Sequence, residues 1–288
     1  MLAPSASTLP RGHFLIEPYL YDVITQGFFD SKGARISAPH TNGFGSLTYI
    51  NYGLTNRVTV GVIPTFGYNQ VSNGPSSAGV GVGDLTVQAQ YRLHLFQEHS
   101  WIPTISFAVQ QTLPTGRYDR LGNRPSDGIG GGAFTTVPSL YTQTFFWMPN
   151  GRILRMRLNV APAFSHSVNV QDVSVYGTTQ GFRGHAKPGA SIFVGAAWEY
   201  SLTRRWVLAL DATFRHQGNT PVTGYSVLSP NPATIQLNSG LSDSLGLAPA
   251  IEYNWKSNVG VLLGVRFIPA GRNTSATITP ALAINFVH

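Results

Sequence analysis

The feature that most constrains this chain is a period of two. Along most of its length, segments of about 10 to 13 residues set apolar side chains at alternate positions with small or polar ones between, the signature of strands with two unlike faces. The segment from Asp84 to Leu93 shows it plainly: Leu85, Val87, Ala89, Tyr91 and Leu93 fall on one face, and Asp84, Thr86, Gln88, Gln90 and Arg92 on the other. A helix would mix the two sets. The same alternation runs through 58–69, with Ile63 as the exception, and through 154–165 and 206–215. No run of about 20 apolar residues occurs, so helices are excluded as membrane-spanning elements. Yet only 11% of residues are charged, against roughly a quarter in soluble domains, so part of the surface is built for something other than water.

Following the alternation places strands near 13–23, 44–54, 57–70, 81–93, 100–112, 134–147, 153–167, 189–202, 205–217, 243–255, 258–269 and 275–287, twelve in all. Their connections alternate between short (55–56, 94–99, 148–152, 203–204, 256–257) and mostly longer, the exceptions being 71–80 and 270–274. An even strand number, with short turns and both termini at one end and long loops at the other, predicts an all-β fold, a transmembrane antiparallel β-barrel of twelve strands with short periplasmic turns and longer extracellular loops. Residues 1–12 are expected to be a periplasmic N-terminal segment and 13–288 a single barrel domain in the outer membrane of a Gram-negative bacterium. Residues 1–6 have neither the basic start nor the apolar core of an export signal, so a leader is expected to have been removed.

Aromatic residues cluster by the short turns. Tyr52, Tyr91, Trp101, Trp198, Tyr200, Trp206, Tyr253 and Trp255 are expected to form an interfacial belt, where amphipathic rings suit the headgroup level. Trp147 has the wrong parity, which requires either a bulge or an inward ring. Pro18, Pro64, Pro103, Pro138, Pro162, Pro249, Pro269 and Pro280 fall in or at the ends of strands, where each lacks a ladder donor. Bulges or kinks are expected there, either as local irregularity or as lateral openings of the wall.

If the apolar face meets lipid, the other face lines the lumen. Its ionisable residues are Glu17, Asp84, Arg92, Arg155, Arg157, Glu199, Asp211, Arg215, Glu252 and Arg266, which either brace the barrel as a salt-bridged network or shape conduction. The loop from Leu113, carrying Arg117, Tyr118, Asp119, Arg120, Arg124 and Asp127 into the glycine-rich 128–132, is the candidate constriction; folded inward it narrows the lumen, folded outward it meets lipid phosphates. Val227-Leu228 in the loop 219–241 and Phe28-Phe29 in the loop 23–42 offer apolar pieces at the entrance.

Other chemistries find no support. Cysteine is absent, the eight histidines are dispersed without ligand spacing, and neither glycine run matches a dinucleotide or phosphate-binding motif, so no metal, cofactor or catalytic residue is expected and the chain is read as no enzyme. His166 and Ser167 point to opposite faces and cannot pair for hydrolysis. The +7 charge is carried by scattered single residues, which argues against nucleic acid.

Leu15-Ile16-Glu17-Pro18-Tyr19, Tyr52-Gly53-Leu54-Thr55-Asn56-Arg57, Gly83-Asp84-Leu85 and Leu113-Pro114-Thr115-Gly116-Arg117-Tyr118 resemble the bacterial outer-membrane channel family labelled "MetA-pathway of phenol degradation". The resemblance covers nearly the whole chain. It implies a twelve-stranded monomeric channel, surrounded by outer-membrane lipid and lipopolysaccharide, for passive uptake of small hydrophobic or aromatic compounds. A general ion or polar-solute porin, and a plugged structural or adhesive barrel without transport, stand as alternatives.

Overall fold

The computed structural model describes residues 3–98, 101–229, 233–256 and 258–288. It is a closed barrel of twelve antiparallel strands. The wall strands are β1 (Phe14–Phe29), β2 (Thr41–Thr55), β3 (Val58–Ile63 continued by Thr65–Val71), β4 (Leu85–His94), β5 (Thr104–Leu113) and β6 (Thr135–Trp147). They continue as β7 (Ile153–Ser165), β8 (Ser191–Ser201), β9 (Trp206–Gln217), β10 (Ser242–Lys256), β11 (Val259–Arg272) and β12 (Thr274–Val287). Neighbours in sequence are neighbours in the wall, and β1 closes the ring by pairing with both β2 and β12. Closure leaves no strand edge, which is what lets a sheet cross hydrocarbon with its backbone satisfied.

The parity read from the sequence holds. Leu20, Phe44, Ile50, Leu140, Leu158, Leu208, Leu210 and Leu263 stand exposed on the outer face, whereas Ser106, Asn159, Glu199, Asp211 and Thr213 are buried inside. An apolar exterior around a polar interior is the inverse of a soluble domain, and the chain is an outer-membrane barrel. Tyr52, Tyr91, Trp206 and Trp255 are exposed on the outer face at the short-turn end, with Trp198, Tyr200 and Tyr253 half-buried among them, and Trp206 packs on Tyr253 at 4.6 Å between ring centroids. Trp101 lies in the link ahead of β5 and is almost fully exposed. Trp147 needs no bulge: pairing with β7 is unshifted there, and its side chain stands exposed at the rim.

Several boundaries differ from the sequence reading. β1 runs to Phe29, because 24–29 continue to pair with β12 across a bulge at Gly27. Phe28 and Phe29 are therefore wall rather than loop, and Phe29 is buried against Ile268 and Ala276. β3 breaks at Pro64, and β4 begins at Leu85, because Gly81–Val82 pairs back onto the outer half of β3 instead. The loop 219–241 contributes two strands. Val168–Gln171, Phe182–Ala186, Pro221–Ser226 and Thr234–Asn238 form a separate four-stranded sheet above the mouth, whose core is Val168, Val170, Phe182, Ala186 and Val222. Asp172 holds its approach turn by accepting from the Gly181 amide and Arg183, both at 2.9 Å, and these donors keep its carboxyl below the usual carboxylate range.

The prolines interrupt the wall in register with one another. Pairing of β6 with β7 skips from Val160–Leu140 to Phe164–Thr136, where Pro162 stands opposite Pro138. Pairing of β10 with β11 skips from Leu247–Phe267 to Ala250–Gly264, where Pro249 stands opposite Val265. Val265 in turn pairs with Pro280 on β12, and β12 loses its pairing with β1 beside Pro280 and again opposite Pro18. Two seams result, one at β6–β7 and a broader one across β10, β11, β12 and β1.

Candidate functional site in the barrel lumen

The first unforeseen feature is the N-terminal segment. Expected to lie on the periplasmic side ahead of the barrel, it runs inside it, from the rim at Pro10 to mid-height at Ala3. Luminal side chains take the place of a strand ladder along its backbone: Thr59 Oγ1 accepts from Leu9 N at 2.8 Å, Ser106 Oγ donates to Ala6 O at 2.5 Å, Gln90 Nε2 to Ser5 O at 3.1 Å, and Asn159 Nδ2 to Pro4 O at 2.9 Å. Ser5 donates to Gln143, which donates in turn to Ser7. Small residues make the fit: Ala3 and Ala6 are fully buried, and a Cβ at Gly53 would lie 2.0 Å from Pro10 O. The alternating pattern said nothing of this segment, because many of its contacts are made by its backbone and the rest by short hydroxyl side chains; its only sequence signal is a run of small residues.

Beside the segment, the inner half of the lumen is filled by ionisable side chains. Glu199 on β8 receives both Arg155 and Arg157 from β7, which faces it in direct register. Arg157 is 6% exposed, Glu199 4% and Asp211 1%, so a broad aqueous pore does not pass them. Glu17 accepts from Tyr19 Oη at 3.1 Å, and Glu252 accepts from Asn254 at 3.0 Å and Asn285 at 3.4 Å. Arg92 stands half-buried at the short-turn end of β4. Along the inner wall, Gln110 donates to Gln88 and Gln88, past Gly61 of β3, to Asn51, a polar ladder from β5 to β2.

At the outer end, Asp84 anchors the third loop, accepting from Gly116 N at 2.9 Å and Gly131 N at 2.7 Å. The loop is strapped across the mouth. On one side Arg124 donates to Ser76 O and Asp127 accepts from Ala78 N. On the other, Tyr118 donates to Asn169 O, Asp119 accepts from Gln171 N, and Arg120 donates to Gln171 Oε1. Arg117 donates to Arg120 O and lies 3.8 Å from Asp127. The loop thus turns over the lumen instead of toward lipid. Its Ile129 seats on Gly67, Gly81 and Gly83, where Cβ atoms would lie 3.2, 2.9 and 3.4 Å from it.

Between strap and filled floor the lumen keeps three neighbouring spaces. An outer vestibule of about 1050 Å³ lies under the loop against β1, β2 and β3. It shares Tyr21 and Val23 with a chamber of about 360 Å³ walled by Tyr19, Tyr49, Leu47 and Leu262. That chamber shares Tyr49 and Arg266 with a third, more polar space of about 280 Å³, reaching Pro4, Ser139 and Arg215. The middle chamber is also lined by Pro249 and Val265, the residues facing each other at the broad seam.

The model of the family described as "MetA-pathway of phenol degradation" matches residues 28–279. The chain belongs to this family. Its fold is shared by an outer-membrane channel of Pseudomonas putida F1, at a TM-score of 0.75 and 15% identity over 100% of both chains. The β domain of the Bordetella autotransporter Brka is similar at a TM-score of 0.51 and 10% identity, over 96% of this chain and 99% of that one. The NanC porin gives a TM-score of 0.48 at 9% identity, over 94% and 98%. No curated protein matches the sequence.

Of the charged lumen residues named from this family member's sequence, the fold brings Arg155, Arg157 and Glu199 together. Asp84 serves the loop strap, and Arg215 and Arg266 face the chambers. The seam was half legible: prolines marked strands, but that Pro249 and Pro280 flank the same Val265 depends on register across three strands.

Proposed function

We propose that this chain is a passive outer-membrane channel for small hydrophobic or aromatic compounds, taken in beneath the third loop and released sideways through the wall. The observation that carries the reading is the middle chamber: a tyrosine- and leucine-walled space whose lining includes Pro249 and Val265 at an interrupted ladder. Below it, buried ion pairs and residues 3–9 occupy the axial route. An apolar solute therefore finds apolar wall beside it and charged, packed groups beneath it, and partitioning favours the wall. The family's description, which concerns phenol degradation, agrees with an aromatic solute. The third loop acts as the constriction, the aromatic belt seats the barrel at the interface, and no reaction is catalysed. The barrel works as a monomer in lipid and lipopolysaccharide.

The test is uptake of radiolabelled toluene at low concentration by porin-depleted Gram-negative cells expressing the chain, alongside single-channel recordings of the purified barrel. The expected result is toluene uptake above vector control with little ion current, and steady ion current once residues 3–9 are deleted. Large ion current from the intact barrel without toluene uptake would favour a general porin, and neither activity would favour an adhesive barrel presenting the four-stranded sheet.

A further inference from the structure

Five of the arginines in this barrel and its loops are explained by carboxylates: Arg155 and Arg157 by Glu199, Arg183 by Asp172, Arg272 by Asp243, and Arg117 by Asp127, while Arg120 is bound to the Gln171 amide oxygen. Of the luminal arginines without one among the described residues, Arg92 stands at the short-turn end and two others lie deeper. Arg215 and Arg266 form no ion pair among the described residues, yet both line the space around the mid-lumen junction. Arg215 lies over the Phe193 ring, 5.6 Å from its centroid. Arg266 borders the apolar and the polar chamber alike, and its Nε is buried with no hydrogen-bond partner among the described residues. Gly246 keeps room above it, since a Cβ there would lie 3.1 Å from that Nε. A guanidinium held away from bulk water without a counter-charge is costly, and a carboxylate is its best complement in geometry and charge.

We propose that the mid-lumen junction is a binding site for small aromatic monocarboxylates, with the ring in the tyrosine-walled chamber and the carboxylate on Arg266, assisted by Arg215. The inference rests on the channel reading and names a solute class for it. Asp211 also borders the apolar chamber, and it offsets only part of the positive charge that the two arginines supply. A volume of about 360 Å³ suits a single substituted ring. Tyr19, Tyr21 and Tyr49 supply aromatic faces for it, while the guanidinium selects an anion over a neutral ring and repels a cation.

The experiment is equilibrium dialysis of the detergent-solubilised full chain with radiolabelled benzoate, benzyl alcohol and benzylamine. Benzoate is expected to bind about tenfold more tightly than benzyl alcohol, the size of one charge-assisted hydrogen bond, and benzylamine more weakly than either. Arg266→Gln should bring benzoate down to the affinity of benzyl alcohol while leaving benzyl alcohol unchanged, and Arg215→Gln should do so in part. If either variant fails to fold by heat-modifiable gel mobility, the wild type still decides: its affinity for benzoate should fall as benzoate is protonated. Equal binding of benzoate and benzyl alcohol by the wild type, or a benzoate preference surviving both substitutions, overturns the site. Benzoate binding in a chain that takes up no toluene would sustain the site and overturn the hydrocarbon reading.

Discussion

Two sides of the barrel are built from the same kind of strand and hold together differently. From β7 to β10 the ladder is unbroken: β7–β8, β8–β9 and β9–β10 pair residue for residue along their shared lengths, and the inner face carries Arg155, Arg157, Glu199 and Asp211. From β10 through β12 to β1, prolines remove ladder donors at Pro249, Pro280 and Pro18, and the inner face beside the seam carries Tyr19, Tyr21, Leu262 and small residues around Arg266, with Glu17 and Glu252 nearer the short turns. The braced side is held by charge-assisted bonds, which tolerate no vacancy. Around the chamber the seam side relies mainly on apolar contact, which tolerates local opening. A barrel with both has a rigid floor and a yielding wall, and this contrast underlies the proposed route.

The two sides differ most at Glu199. Glu199→Gln leaves Arg155 and Arg157 without their shared carboxylate, and the expected loss is about 3–5 kcal/mol of barrel stability, read from denaturant unfolding in detergent. Toluene uptake by the barrels that still fold should be unchanged, since the seam lies elsewhere. At the seam the expected effects are smaller. Pro249→Ala restores one ladder donor between β10 and β11, worth about 0.5–1.5 kcal/mol, and should make the barrel more stable and toluene uptake slower. The smallest effect belongs to the rim shared by both sides: Trp206→Ala removes the ring packed on Tyr253 and should cost about 0.5–1.5 kcal/mol beyond its buried area, with uptake unaffected.

How much of this could be read from residues alone follows from what kind of contact carries each part. The wall was legible because alternation is a local property, and each strand announces its own two faces, as Leu85 to Arg92 do. The ion cluster was legible as a set of inward charges but not as a trio, because Arg155 meets Glu199 only through the β7–β8 register. The luminal segment and the four-stranded sheet over the mouth were hidden for a different reason. The segment binds through its carbonyls and amides, which every residue has, and the sheet pairs strands from two separate loops, such as Phe182–Ala186 with Pro221–Ser226. The reading of Phe28 and Phe29 as entrance failed because the strand continues through the Gly27 bulge.

The most direct test of the lateral route is to staple the seam. Cysteines replacing Pro249 and Val265, which face each other across the interrupted β10–β11 ladder, would lock the wall when oxidised and free it when reduced. Cells carrying the oxidised pair are expected to take up toluene no faster than vector controls, and after dithiothreitol to recover uptake to the slower rate of the Pro249→Ala barrel. Uptake that stays at the wild-type rate in the fully cross-linked barrel would contradict the account and return the solute path to the axis of the lumen.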